Sequence, residues 1–238
     1  MQVTAVHTDV FEEGSDLVAF ILRFIAQAEE NTVLAVSSKV VALWKNNTVP
    51  YESTAQKEAL IKQHSESALK TPLAWLTLKD GMVMTNAGID ESNANGKLIF
   101  LPDCYACAEE LCRALKQQWH VQNLGVVITD SMILPLRAGV IAAAVGYSGF
   151  KGVKDLRGQA DIFGKPLKTT LVDVADSLAT AAALVMGEAN EQCPLCVIQK
   201  APVVFTDKTD RDEIKYPVTD DLYTPLLEAV KLVKRRIK

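Results

Sequence analysis

Two apolar strand-like runs end in carboxylates about forty residues apart. Asp130 follows Val126-Val127-Ile128-Thr129. Asp90 follows Met82-Val83-Met84-Thr85 by way of Asn86-Ala87-Gly88-Ile89. Carboxylates that converge repel each other unless a cation lies between them, so the pair says more than either acid alone. The stretch Asn86-Ala87-Gly88-Ile89-Asp90-Glu91-Ser92-Asn93 is rich in oxygen donors. Such a loop suits a hard cation such as magnesium or manganese, commonly with phosphate completing the shell. Taken alone, it reads equally as a solvated turn whose Asn and Asp side chains bond locally. A third acid, Glu188, lies in Met186-Gly187-Glu188-Ala189-Asn190-Glu191, after an Ala-rich run. Ser37-Ser38-Lys39 adds hydroxyls and an ammonium at the start of a helix, a ready anion site. By itself that triplet is also an ordinary polar cap.

The elements that must position these groups follow from periodicity. Gly14-Ser15-Asp16 starts a helix capped at Ser15. Leu17, Phe20, Ile21, Phe24, Ile25 and Ala28 form its buried face. Thr32 to Val36 is a short apolar strand. Residues 50–70 read as a polar helix ending before Pro72, and Met82 to Thr85 as a strand. Pro102-Asp103 opens a helix carrying Leu111, Leu115 and Trp119. Leu124 to Thr129 is a strand, and Gly139 to Gly146 another apolar segment. Residues 149–166 read as a loop and Leu167 to Val172 as a strand. The Ala-rich helix from Asp173 ends at Gly187, a C-cap. Val197 to Phe205 is strand-like around Pro202, and Leu222 to Lys238 an amphipathic helix with Leu226, Leu227, Val230, Val233 and Ile237 on one face. The irregular alternation of strands and helices predicts an α+β fold rather than a doubly wound sheet.

Composition narrows the class. The 238 residues are 49% hydrophobic and 23% charged, with a formal net charge of -4. That balance is globular and disfavours a whole-molecule nucleic-acid footprint. No apolar run reaches the ~18 residues of a membrane span, and no signal pattern opens the chain, so a cytoplasmic protein is expected. Five cysteines suit a reducing compartment better than a disulfide framework. Cys104, Cys107 and Cys112 lie among Ala and Leu on a helix, and Cys196 opens an apolar strand, so they read as small core residues rather than zinc ligands. His7, His64 and His120 are isolated.

Taken in order, Val36-Ser37-Ser38-Lys39-Val40-Val41, Asn86 to Asn93, Gly125-Val126-Val127-Ile128-Thr129-Asp130-Ser131, Asp155-Leu156-Arg157-Gly158 and Val174-Ala175-Asp176 through Val185-Met186-Gly187-Glu188 resemble one family. This is the coenzyme F420-0:γ-glutamyl ligase family, and within it a bacterial branch associated with folate γ-glutamate ligation. The resemblance implies an F420-ligase-like mixed α/β fold of two intertwined subdomains, with residues 1–205 as the ligase-like domain and 206–238 as a C-terminal extension. It implies a GTP-dependent (or ATP-dependent) ligase that joins L-glutamate to a pterin-type or deazaflavin carboxylate through an acyl phosphate. Magnesium or manganese would be required, and the chain would be a homodimer without nucleic-acid or membrane partners. The family's metal-binding and catalytic acids fall on Asp90, Asp130 and Glu188. Its nucleotide contacts fall on Ser38, Lys39, Asn93, Ser131 and on Met186, Gly187, Ala189, Asn190, Glu191, Gln192 and Cys193. A further nucleotide stretch falls on Thr8, Asp9, Val10 and Phe11. Arg137, Arg157 and Lys168 are additional candidates for anion contacts with substrate.

The sequence departs from the family pattern where a second Lys and then Glu-Gly-Arg are usual. Here Leu43 and Lys45-Asn46-Asn47 stand in those places. After Asp130, Met132-Ile133-Leu134-Pro135-Leu136-Arg137 carries one arginine fewer than the family, and the N-terminal Leu-Pro element is absent. These losses motivate a second reading, a catalytically weakened relative that binds nucleotide and metal in a regulatory role.

Overall fold

The computed structural model describes residues 1–233. In chain order the elements are β1 (Gln2–Val6), α1 (Leu17–Phe24), β2 (Thr32–Ser37), α2 (Ser38–Trp44), β3 (Thr48–Pro50) and α3 (Thr54–Gln63). Then come β4 (Ser67–Lys70), β5 (Trp75–Lys79), β6 (Met82–Thr85), β7 (Lys97–Ile99) and α4 (Cys104–Trp119). The remainder is β8 (Leu124–Met132), β9 (Ile141–Ser148), β10 (Val153–Asp155), β11 (Leu171–Asp173), α5 (Val174–Met186), β12 (Leu195–Gln199) and α6 (Thr224–Ala229). Helices and mixed sheets together make an α+β fold.

A five-stranded sheet in the order β1-β12-β2-β8-β9 organises the molecule. Its β2 and β8 run parallel, with Ser37 beside Thr129, while the other neighbours are antiparallel. Both faces are covered, which is why β2 and β8 are apolar without alternation. On one face Leu34, Val36, Val126 and Ile128 pack against α1 and α4, through Leu17, Ile21, Leu111 and Leu115. On the other, Val33, Ala35 and Val127 pack against Ala175, Ala179 and Ala182 of α5, where small side chains bring helix and sheet close. A three-stranded sheet, β4-β5-β6, and a β3-β7 pair lie outside this sandwich, and β10-β11 form a separate two-stranded arm.

The starts of α1, α4 and α5 are fixed by carboxylate caps. Asp16 accepts hydrogen bonds from the N–H groups of Val18 and Ala19, Asp103 from Ala106, and Asp173 from Asp176. Each such cap contributes about 1 kcal/mol. The cap of α1 is thus Asp16 rather than Ser15, because a carboxylate one residue on reaches two orphan donors. Residues 50–70 are not one helix. α3 ends at Gln63, and Ser67 to Lys70 pair with β5, a strand the helical reading passed over. β8 runs on to Met132, past the end read from its apolar core, because it stays paired with β9. Of Leu167 to Val172 only the last two residues join β11, and of Val197 to Phe205 only the first three lie in β12, which begins at Leu195. The C-terminal helix is short. Leu226 is 66% exposed and Val230 45% exposed, while Leu232 and Val233 are buried beyond its end. The rest of that reading, from Lys234 to Lys238, lies outside the described residues.

Among the described residues, no helix is long and apolar enough to cross a membrane, and all five cysteines are free. Cys104, Cys107, Cys112 and Cys196 are buried in the two cores.

Candidate functional site

Two parallel strands end at the same side of the sheet, and ligands of mixed α/β folds gather at such carboxyl ends. There β2 passes directly into α2, so Ser37, Ser38 and Lys39 stand at the junction. Beside them β8 presents Asp130 and Ser131. A register shift between Ile128 and Thr129, where the partner changes from Gly146 to Ala144, lies just before these residues. Bulges of this kind re-aim the side chains that follow. Neighbouring side chains on a strand point to opposite faces. Asp130 accordingly meets α2, where its Oδ1 accepts the Ser38 hydroxyl at 2.8 Å, while the Ser131 hydroxyl donates to Glu188 Oε2 at 2.7 Å below α5.

Asp90 arrives by a strained turn. Asn86, Ala87 and Gly88 all have positive φ, at 52°, 52° and 70°. For alanine that region is costly and persists only where the surroundings impose it. Here the Ala87 N–H donates to Thr77 Oγ1, the Trp75 N–H donates to Asn86 Oδ1, and Ala87 is buried. A side chain at Gly88 would strike Leu101, its Cβ coming within 2.4 Å. Ile89 then plugs a small core beneath, and Asp90 exchanges backbone hydrogen bonds with Ile99. The Asp90 carboxylate accepts the N–H groups of Glu91 and Ser92 and an ion pair from Lys39 Nζ at 2.8 Å. Lys39 also donates to the Ser92 hydroxyl at 2.6 Å.

The loop after α5 closes the site. Gly187 has φ of 84°, and a Cβ there would lie 2.2 Å from Glu191, whose carboxylate folds back to accept the Ala189 N–H. The loop is stitched to its neighbours by backbone. Thr8 N–H donates to Gln192 O, Ser37 N–H to Pro194 O, and Asn93 Nδ2 to Ala189 O. Together these segments line a cavity of about 470 Å³.

Most of the residues singled out from the sequence meet here. Thr8 to Phe11, Ser38, Lys39, Asn93, Asp130, Ser131 and Met186 to Cys193 all line the cavity. Asp90 stands just behind, reached through Lys39. Arg137, Arg157 and Lys168 are not brought in. Arg137 lies exposed between β8 and β9, Lys168 is exposed on the arm, and Arg157 is held on that arm by Asp155 at 2.6 Å. Nothing in one strand's periodicity tells that an arginine will be taken by its own turn. Ser37 of the Ser-Ser-Lys triplet lines it too, and Thr129, Ala142 and Ala183 do so without having been singled out; small residues carry no chemical signature in a sequence.

The electrostatics are uneven. Burial pushes the Asp130 carboxyl up to about 6, with the Asp90 charge adding to it and the Ser38 hydroxyl and Lys39 opposing. Burial acts on Asp90 the same way, but the hydrogen bonds from Lys39 and Ser92 outweigh it and hold that acid below its usual range. Among the described residues, Asp9, Asp130, Glu188 and Glu191 line the cavity against the single cation Lys39. No three His, Cys, Asp or Glu side chains already converge closely enough to hold a metal ion among those residues. The donor chemistry nonetheless fits a hard cation. The acids are carboxylate oxygens flanked by hydroxyls, and Asp130 has a single side-chain donor to balance its buried charge.

Fold and site together define an α+β protein with an acidic, hydroxyl-lined cavity at the ends of two parallel strands. Comparison with known proteins gives that class its family. Residues 5–200 match the family model described as F420-0:Gamma-glutamyl ligase, and the chain belongs to this family of amide-forming ligases. A coenzyme F420:L-glutamate ligase of Methanococcus maripaludis (strain C7) is 33% identical over 210 residues, covering 85% of this chain and 83% of that protein. The protein of the same name from Methanopyrus kandleri is 35% identical over 206 residues, covering 78% and 81%. That of Archaeoglobus fulgidus is 32% identical over 209 residues, covering 80% and 83%.

Proposed function

We propose that this protein is a nucleotide- and divalent-metal-dependent γ-glutamyl ligase that extends a carboxylate acceptor with L-glutamate. The observation that carries the reading is the charge of the 470 Å³ cavity: four acids and one lysine line it. A nucleotide polyphosphate could not enter such a cavity against so much negative charge without cations to accompany it. Asp130 and Glu188, with Asp90 behind, would hold magnesium or manganese, which when bound neutralises phosphate charge and favours attack at phosphorus.

The chain's own residues have separable tasks. Lys39 stands free to exchange its Asp90 partner for a phosphate oxygen. The Ser38 and Ser131 hydroxyls, now spent on Asp130 and Glu188, supply directional donors beside the same oxygens. In this reading GTP phosphorylates the acceptor carboxylate, the glutamate amine attacks the acyl phosphate, and inorganic phosphate leaves as the amide forms. The relatives' shared name favours a deazaflavin acceptor, coenzyme F420-0, over a folate-type one.

Two further proposals belong with this reading. The five free thiols suit a reducing, cytoplasmic setting. A homodimer would cover apolar side chains left in solvent, namely Ile162 and Phe163 at the tip of the β10-β11 arm and Leu184 on α5, which are 92%, 88% and 85% exposed. Light scattering at micromolar concentration that gives one chain's mass would overturn the dimer.

The activity is tested by incubating purified protein with GTP or ATP, magnesium or manganese, L-glutamate, and either F420-0 or dihydropteroate. Release of phosphate with a one-glutamate mass gain supports the ligase. Leu43 lines the cavity at a place where the family pattern carries a lysine, which favours the weakened, regulatory relative as the second reading. Nucleotide binding without phosphate release on any acceptor would select that second reading.

A further inference from the structure

A second cavity, about 940 Å³, opens along the free edge of β9. Close-packed interiors leave few voids larger than a water molecule, so a space of this size is not a packing defect. Pockets of roughly 300–1,000 Å³ take drug-sized ligands, and an amino acid such as glutamate would rattle in one. The cavity adjoins the acids of the site. Met132 lines it and lies two residues beyond Asp130 on β8, on the same face of the strand. Cys104 also lines it and feels the Asp130 charge.

The lining is apolar and soft. Met82 and Met84 of β6 and Met132 of β8 face it, with Leu76 and Leu101 between them. Methionine fills irregular space and makes favourable sulfur contacts with aromatic rings. Three methionines around one chamber suit a flat ring system better than a flexible chain. Charges of both signs sit at the rim, three cations against five acids. Arg211 stacks over the Tyr105 ring at 5.1 Å and pairs with Asp103 at 3.0 Å, and Lys215 pairs with Asp212 at 2.7 Å.

The outer wall comes from residues 206–233, beyond the stretch matched by the family model. That wall is pinned at both ends. Glu213 accepts the Tyr147 hydroxyl at 2.7 Å and the Gly152 N–H at 2.5 Å, while at the far end Leu232 O accepts the Ser67 hydroxyl and Leu232 and Val233 are buried. Between the pins, Leu227 and Tyr223 line the same cavity as the methionines.

We propose that this chamber takes the flat, fused-ring part of the carboxylate acceptor, that Arg211, stacked on Tyr105, borders the ring, and that residues 206–233 are the wall that selects which ring system enters. The identity of the occupant as acceptor rests on the ligase reading. Binding of the ring does not, so the two are tested separately.

Isothermal titration of the full-length protein with F420-0 and, separately, with dihydropteroate measures binding without turnover. Titration with GTP and Mn²⁺ serves as the control. Leu227→Trp and Met82→Trp fill the chamber from opposite sides. Each should weaken binding of the ring probe tenfold or more and leave the GTP control unchanged. Arg211→Ala, on a half-exposed side chain, should weaken it about fivefold. Ring binding that behaves in this way supports the chamber even where no glutamate is added, an outcome that would sink only the ligase reading. The proposal is overturned if the wild-type protein binds neither ring probe, or if Arg211→Ala and the folded Trp variants bind it as the wild type does.

Discussion

The Ser38 hydroxyl donates a 2.8 Å hydrogen bond to Asp130 across 92 positions of sequence. It ties the first turn of α2 to the end of β8, a contact made possible by the parallel register that sets Ser37 beside Thr129. The bond holds a partly buried carboxylate in place while leaving its second oxygen for another partner. Asp130→Asn keeps the shape and removes the charge. Loss of one such electrostatic stabiliser costs about 2–4 kcal/mol at the transition state, a hundredfold or more in rate. Steady-state kinetics across a manganese titration should show this loss, while the melting temperature without metal stays level or rises as repulsion with Asp90 falls. Full metal-dependent activity in the variant would remove Asp130 from the site.

Lys39 spans the two strand-end acids' surroundings, paired with Asp90 and bonded to Ser92. Its ion pair is partly exposed, and such pairs contribute only about 0–1 kcal/mol to stability. Lys39→Met should therefore shift the melting temperature by no more than a few degrees. Nucleotide affinity, measured by calorimetry with Mn²⁺ present, should fall about tenfold or more. Unchanged affinity would mean that Lys39 only anchors the Asp90 loop.

Gly146 on β9 sits against the start of α4. A Cβ there would lie 2.4 Å from the Cys104 carbonyl carbon and 2.7 Å from the Tyr105 nitrogen, both backbone atoms that cannot swing aside. Gly146→Ala should cost on the order of 1–3 kcal/mol or more, because overpacking must push helix from strand. Urea unfolding would show the midpoint falling, and a neutral result would mean that α4 docks more loosely than its contacts with β9 suggest.

Asp176 caps an outward N–H of edge strand β9, accepting from Ala144 at 2.9 Å. Burial, with the Asp173 charge added, pushes its carboxyl up to about 6 from the ordinary value of 3.8. The folded protein therefore binds this proton more tightly than the unfolded chain. The resulting stability is fully present below pH 4 and is lost as pH rises through about 6. Asp176→Asn keeps the acceptor and abolishes the charge. At pH 8 it should stabilise by roughly 1 kcal/mol, or ~2–4 °C in melting temperature, after allowance for partial exposure. The gain should vanish by pH 4. A gain independent of pH would point to packing rather than charge.

Periodicity and composition carried β2, β8, α1, α4 and α5 well, because those strands are buried on both faces and those helices have caps and apolar stripes of standard spacing, whereas β1, half exposed, went unread and β12 was placed two residues late. The cavity's segments were legible for a different reason. Ser-Ser-Lys, the Asn86 to Asn93 loop and the Gly187 loop are runs of polar residues directly after regular elements. Of the β4-β5-β6 sheet only β6 was read, since Ser67 to Lys70 have no alternation and continue a polar helix without a break, and Trp75 to Lys79 were not marked as a strand. That Arg137, Arg157 and Lys168 lie away from the cavity was not legible, because loop positions have no periodicity to say where they point. The chamber behind β9 was not legible at all. Its wall joins residues near 80, 104, 132 and 211–233, and only the folded chain puts them together.

The strand order has a consequence for how the molecule is made. β12, near the end of the chain, lies between β1 and β2, which come first. During synthesis β1 has no neighbour and β2 keeps one naked edge until residues 195–199 arrive. Contacts of such long sequence separation must be closed against chain entropy before they stabilise anything, which slows folding. The cavity loop from Met186 to Pro194 is tethered to Thr8 and Ser37 only when β12 is seated. The cavity is therefore among the last parts to form, and a nascent chain has no closed site before its framework is complete.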